Sequence, residues 1–175
     1  MSHIKRRGSN RHKSYGDMAE LERKMERNYD KQAEMQCRDW LEMMTGETLN
    51  WGIEHEYSNP WDGFADALDD GVILCRVMNE VEPGAIKKYH SGDKMKDAKR
   101  QENIFLFIDA CQKSPFNCLP VDMFDPADLY ERKNMGKVVN AIQAFVRKAH
   151  KYDKTVPLFG PRQHEPNERE NHGTQ

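Results

Sequence analysis

The chain has 175 residues, of which 37% are hydrophobic and 32% charged, with a formal net charge of −2. These proportions suit one globular domain with solvated extensions, and the near-neutral charge gives no electrostatic case for a nucleic-acid partner. No run approaches the roughly 20 apolar residues of a membrane span. The N-terminus lacks the apolar stretch of a signal peptide. Cys37, Cys75, Cys111 and Cys118 lack the paired spacing of zinc ligands. Reduced thiols in a cytoplasmic protein are therefore expected, those of Cys37, Cys75 and Cys111 buried on apolar helical faces.

Residues 1–16 carry Lys5, Arg6, Arg7, Arg11 and Lys13 with no acid and few apolar groups. They predict a disordered basic tail. A helical extension follows over 17–29, with Asp17 as cap, Glu20 completing a capping box, and a thin stripe of Met18, Leu21 and Met25. Over 30–45 the pattern strengthens. Ala33, Cys37, Trp40, Leu41 and Met44 share one helical face, Glu34 is read as facing away, and Gly46 is a left-handed stop. Residues 49–63 read as a loop.

The next predicted helix runs over 64–79 and contains the densest apolar run, Leu-Asp-Asp-Gly-Val-Ile-Leu-Cys-Arg-Val-Met-Asn at 68–79. Leu68, Val72, Cys75 and Met78 share a face that Ile73, Leu74 and Val77 widen. Gly71 inside this pattern costs about 1 kcal/mol relative to alanine, so it predicts close approach of another backbone or ring. Pro83-Gly84 ends the run. A helix over 100–113 is expected to bury Ile104, Phe105, Ile108 and Cys111, with Phe105 and Trp40 against one another or the central helix and Phe107 partly exposed. Short helical turns near 121–124 and 126–131 place Phe124 and Leu129 in the core. Asp122 and Asp128 precede these turns and accept backbone N–H bonds. A last helix over 134–151 buries Val138, Ile142, Phe145 and Ala149, and an extended polar tail covers 153–175. Alternating strand patterns and internal repeats are absent, so the fold class is all-α.

Several segments are more specific than their periodicity. Asn28-Tyr29-Asp30-Lys31-Gln32 leads into Arg38-Asp39-Trp40-Leu41 and Thr45-Gly46. Then come Leu68-x-Asp70-Gly71-Val72-Ile73-Leu74-Cys75 with Asn79, Pro83-Gly84-Ala85-Ile86-Lys87-Lys88, and Gln101-Glu102-Asn103-Ile104. Asp122-Met123-Phe124, Asp128-Leu129-Tyr130-Glu131 and Phe159-Gly160-Pro161 complete the series. In this order, over 24–161, the series resembles the calponin-homology domain of the calponin and transgelin branch. The resemblance implies a single domain over 30–152, a compact bundle of four main helices plus short helical turns. It implies a monomeric, non-enzymatic, cytoskeleton-associated protein of muscle that binds F-actin and needs no cofactor. A signalling adaptor holding a kinase or exchange factor is the second reading, and microtubule binding is a weaker third. Two departures stand out. Ser114-Pro115-Phe116 replaces the Tyr-Gly-aliphatic turn common after the fourth helix. No Ile-Gly-Leu-Gln-x-Gly repeat follows the domain, and in that family such repeats contribute much of the actin contact.

An acidic filament would be met by exposed cations. Arg23, Lys24 and Arg27 on the first helix and Lys133, Lys137, Arg147, Lys148 and Lys151 around the last are the candidates, although an ordinary solvated face explains them equally well. Arg6-Arg7-Gly8-Ser9 resembles a basophilic-kinase site with Ser9 as acceptor. The acidic run over 54–70 and the basic run over 86–100 predict an uneven charge distribution. His55-Glu56 lacks the second histidine of a zinc-protease helix, and no phosphate loop or nucleophile elbow is present. Catalytic, cofactor and metal sites are therefore not expected.

Overall fold

Of the six described glycines with positive φ, Gly46 ends one helix and Gly71 separates two others. Residues 15–160 are described by a computed structural model, and among them every regular element is helical. In chain order these are α1 (Tyr15–Asn28), α2 (Lys31–Thr45), α3 (Asp62–Leu68), α4 (Val72–Val81), α5 (Asp97–Gln112), α6 (Pro126–Tyr130) and α7 (Met135–Tyr152). Short 3₁₀ turns occupy Glu54–Glu56 and Pro120–Asp122. No helix among the described residues is long and apolar enough to cross a membrane. Ser9, most of the predicted basic tail, and the end of the predicted C-terminal tail lie outside the described residues.

The Asp30 carboxylate starts α2 by accepting from the Ala33 N–H at 2.9 Å. Gly46 ends it at φ +70°, its N–H donating to the Glu42 carbonyl. α1 begins at Tyr15, so Asp17 lies in its first turn and is not its cap.

The predicted single helix over 64–79 is two helices. Gly71 is left-handed at φ +71°, and the Asp70 carboxylate accepts from the Val72 N–H at 2.8 Å to begin α4. The expected close approach is present as well. A Cβ on Gly71 would lie 2.6 Å from Asn103 Cβ and 2.7 Å from the Ile104 nitrogen. One glycine therefore turns the chain and admits the backbone of α5.

On α5, Asn103, Ile104, Phe107, Ile108 and Cys111 are buried, while Phe105 is 55% exposed. The assignments of the two phenylalanines are thus exchanged. Residues 104, 107, 108 and 111 keep the three-to-four spacing of one stripe, and Phe105 sits about 100° from Ile104, outside it. Trp40 accordingly packs edge-on to Phe145 and against Phe159, each at 6.2 Å between ring centroids.

α4 packs against both α2 and α5, and α7 packs against α2. Trp40, Leu41, Leu68, Leu74, Ile104, Ile108, Phe124, Leu129, Ile142 and Phe145 are buried in the core, and Ile73 is half-buried at its edge. Phe145 meets Trp40, Phe107 and Phe116 edge-on. Beyond α7 the chain folds back. Val156 is buried, the Pro157 carbonyl accepts from Trp40 Nε1 at 2.9 Å, and His150 Nδ1 lies 2.7 Å from the Val156 oxygen.

Candidate partner-binding surface

Asn134 caps α7 by accepting from the Lys137 N–H at 3.1 Å, which fixes Lys137 in the first turn. Its ammonium lies 3.4 Å from Asp128 and 3.8 Å from Asp125, and Lys133 pairs with Glu131 at 2.7 Å. The cations at the start of α7 are thus matched by nearby acids. At 3.6 residues per turn, Lys137, Lys148 and Lys151 share one outward stripe, with Lys148 roughly 16 Å along the axis from Lys137. Lys148 and Lys151 are exposed, and Arg147 is half-buried. Beside this end of α7 runs the Pro120–Asp122 turn, where Leu119 is 56% and Val121 81% exposed. An apolar tip flanked by cations results.

On α1, Arg23, Lys24 and Arg27 are exposed, and no residue of the helix is fully buried. Met25 and Tyr29 anchor it, Tyr29 stacking edge-on to Trp61 at 5.3 Å. Between α1 and the start of α7 lies a shallow groove of about 240 Å³, lined by Leu21, Lys24, Met25, Trp61 and Met135 among others. Lys24 therefore lies beside the first residues of α7, while Arg147, Lys148 and Lys151 are at its other end.

A buried ionic cluster was not anticipated. Glu34 is fully buried and faces inward, in contrast to the outward face read from its polarity. It accepts from the Tyr29 hydroxyl at 2.6 Å and from Lys31 at 3.0 Å, and it pairs with Arg38. Lys31 also reaches Glu54 at 2.8 Å and the Pro60 carbonyl at 2.7 Å. Burial first, then the Glu34 carboxylate, pushes the Tyr29 hydroxyl far above the usual phenol range. The hydrogen bond from Lys31 holds Glu54 below the usual carboxylate range. The available signal was spacing, because Glu34 lies one and two turns before Cys37 and Leu41 on the buried stripe.

Most acids of the 54–70 run have internal partners. Arg132 spans Asp62 at 2.9 Å and Asp66, and Arg100 pairs with Asp69. The uneven charge read from sequence is accordingly damped within the molecule. Asp122 closes its turn and does not precede it; Asp125 is the residue that starts α6, its N–H donating to Asp128 at 2.9 Å. No group of His, Cys, Asp or Glu side chains that could hold a metal occurs among the described residues.

The sequence profile of the Calponin homology (CH) domain matches residues 31–151, from the start of α2 almost to the end of α7. The chain belongs to the calponin-homology family. Calponin-1 of Meleagris gallopavo is 32% identical over 149 residues, spanning 85% of this chain and 76% of that protein. Myophilin of Echinococcus granulosus is 30% identical over 152 residues, spanning 86% and 74%. Calponin-2 of Mus musculus is 34% identical over 140 residues, or 80% of this chain and 41% of its own length. The chain thus spans about two fifths of the calponin-2 relatives it matches. Among solved structures, autoinhibited Vav1 superposes with a TM-score of 0.60 at 24% identity, covering 73% of this chain and 24% of that one. This last likeness is one of fold.

Within the calponin-homology domain, the most specific sequence segments have structural work. Asn103 is buried. Its Oδ1 accepts from the His90 N–H at 2.8 Å, and its Nδ2 donates to the Asp70 and His90 carbonyls at 2.9 and 2.8 Å. It ties the α3–α4 corner and the loop after α4 to α5. Asn79 similarly holds Ile86 through its N–H at 2.9 Å and its carbonyl at 3.0 Å. These motifs hold the domain together, whereas the candidate cations of α1 and α7 lie outside them.

Proposed function

We propose that this calponin-homology protein is a non-enzymatic component of the actin cytoskeleton in the cytoplasm, with muscle as its setting, and that it docks on filaments through cations of α7 and α1. The observation that carries this reading is the kinship with calponin-1 and myophilin, which extends through about three quarters of each of those proteins. The exposure of Lys148 on the helix that packs against the turn bearing Val121 supports it, since a charge that suits an acidic filament is combined with exposed apolar side chains. Lys148 is favoured over Lys133 and Lys137, which acids already engage.

Cosedimentation with F-actin tests the proposal, using the full chain beside a version restricted to residues 15–160. Pelleting at low salt that weakens at physiological salt is the expected result, because exposed charge pairs are screened over about 8–10 Å. Absence of pelleting at both salts overturns the filament reading in favour of the adaptor one.

A further inference from the structure

Cys111 ends the buried stripe of α5, and Cys118 follows the turn after that helix. The turn is tightly closed. The Phe116 and Asn117 N–H groups donate to the Lys113 carbonyl at 3.1 and 2.9 Å, and the Cys118 N–H donates to the Cys111 carbonyl at 2.9 Å. That last bond holds the two Cα atoms within roughly the 4.4–6.8 Å that a disulfide spans. The two thiols are near enough that each shifts the other's ionisation. Cys37 and Cys75 have other company: their thiols approach the Val139 carbonyl at 3.9 Å and the Asn103 carbonyl at 3.3 Å. Cys118 lies just beneath the surface, between exposed Asn117 and Leu119.

We propose that Cys111 and Cys118 form a peroxide-oxidisable dithiol, with Cys118 as the reacting thiol and Cys111 as the resolving one. The electrostatics agree. The Cys111 S–H bond, then Lys148 and Arg147, hold the Cys118 thiol below its ordinary range, while burial pushes Cys111, Cys37 and Cys75 upward. The thiolate is the form that attacks, so selectivity for Cys118 follows.

In the first step the Cys118 thiolate sulfur attacks one oxygen of hydrogen peroxide. An S–O bond forms, the O–O bond breaks, and the departing hydroxide takes a proton to become water. In the second, Cys111 sulfur attacks the Cys118 sulfenic acid. The S–S bond forms, the S–O bond breaks, and hydroxide leaves with the Cys111 proton as a second water. Two electrons pass from the thiols to the peroxide. The bridge ties the end of α5 to the segment bearing Leu119 and Val121, beside Arg147 and Lys148.

The test uses the full chain treated with hydrogen peroxide, alkylated and digested with trypsin without reduction. Cleavage after Arg100, Lys113 and Arg132 puts Cys111 and Cys118 on separate peptides, so only a new disulfide holds 101–113 to 114–132. The expected result is this linked pair, lighter by two hydrogens and released by dithiothreitol, with Cys37 and Cys75 still open to alkylation after unfolding. Cys111→Ser should abolish the link and leave a Cys118 sulfenic acid that dimedone captures. Either of two results on the unsubstituted chain overturns the proposal: no linked pair at peroxide levels that preserve the helical circular dichroism, or equal oxidation of all four cysteines.

Discussion

Gly71 and Asn103 act as a lock and its bolt, and each makes a sharp prediction. A Gly71→Ala side chain would have to adopt left-handed backbone and displace Asn103 and Ile104. It should destabilise the protein by about 2–4 kcal/mol in urea unfolding. Asn103→Ala strips donors from two carbonyls and the acceptor from the His90 N–H, and should cost about 2–4 kcal/mol. Asn103→Asp should not rescue it, because a carboxylate has nothing to donate. Carboxylate titrations followed by NMR should separate two classes. Hydrogen bonds from Arg76 and Lys31 hold Glu47 and Glu54 below the usual range, so their contribution to stability is present at neutral pH and lost as pH falls through their depressed values. Burial outweighs Arg100 at Asp69 and raises its carboxyl. The sign reverses there: folding is favoured below the ordinary aspartate range, and that contribution is lost as pH rises through the raised value.

At the scale of elements, Phe105 and Phe107 give the cleanest contrast. Phe107→Ala should cost about 3–5 kcal/mol, and Phe105→Ala no more than about 0.5 kcal/mol, measured by the same unfolding assay. Spacing alone contained that answer, since 104, 107, 108 and 111 form a stripe that excludes 105. α2 and α7 were legible because caps and stripe agree at Asp30, Gly46 and Asn134. The α3–α4 break was only half legible. Gly71 announced a close approach, but that it also turns the chain left-handed between two helices shows only in the fold. Glu34 was hidden for the opposite reason, because a charge at a core position is recognisable only once Tyr29, Lys31 and Arg38 converge on it. The C-terminal strap offers a further check. Deleting residues 154–175 removes the acceptor for Trp40 Nε1 and the Phe159 ring. Tryptophan emission should shift to the red and the unfolding midpoint should fall.

Across the whole molecule, the parts that carry the fold and the parts proposed to carry function are separate. The family motifs resolve into buried locks, and the cations lie on α1 and on the outward stripe of α7. Reversing Arg147 and Lys148 together to glutamate should weaken actin cosedimentation at low salt by about tenfold or more, while reversing Lys133 should have a smaller effect because Glu131 already engages it. Circular dichroism should stay unchanged in both. The candidate cations are named by the sequence, but their division between two ends of α7 required the positions of Asp125, Asp128 and the Pro120–Asp122 turn.

The ring of Phe145 meets three others edge-on, at centroid distances of 6.2, 5.5 and 5.1 Å. A half-turn of that ring sweeps volume that Trp40, Phe107 and Phe116 occupy, so it must wait for all three to recede together. The flip rate of one side chain is therefore a clock for the concerted breathing of α2, α5 and the turn after α5. Its resonances should be displaced by ring currents and should resolve into distinct edges on cooling.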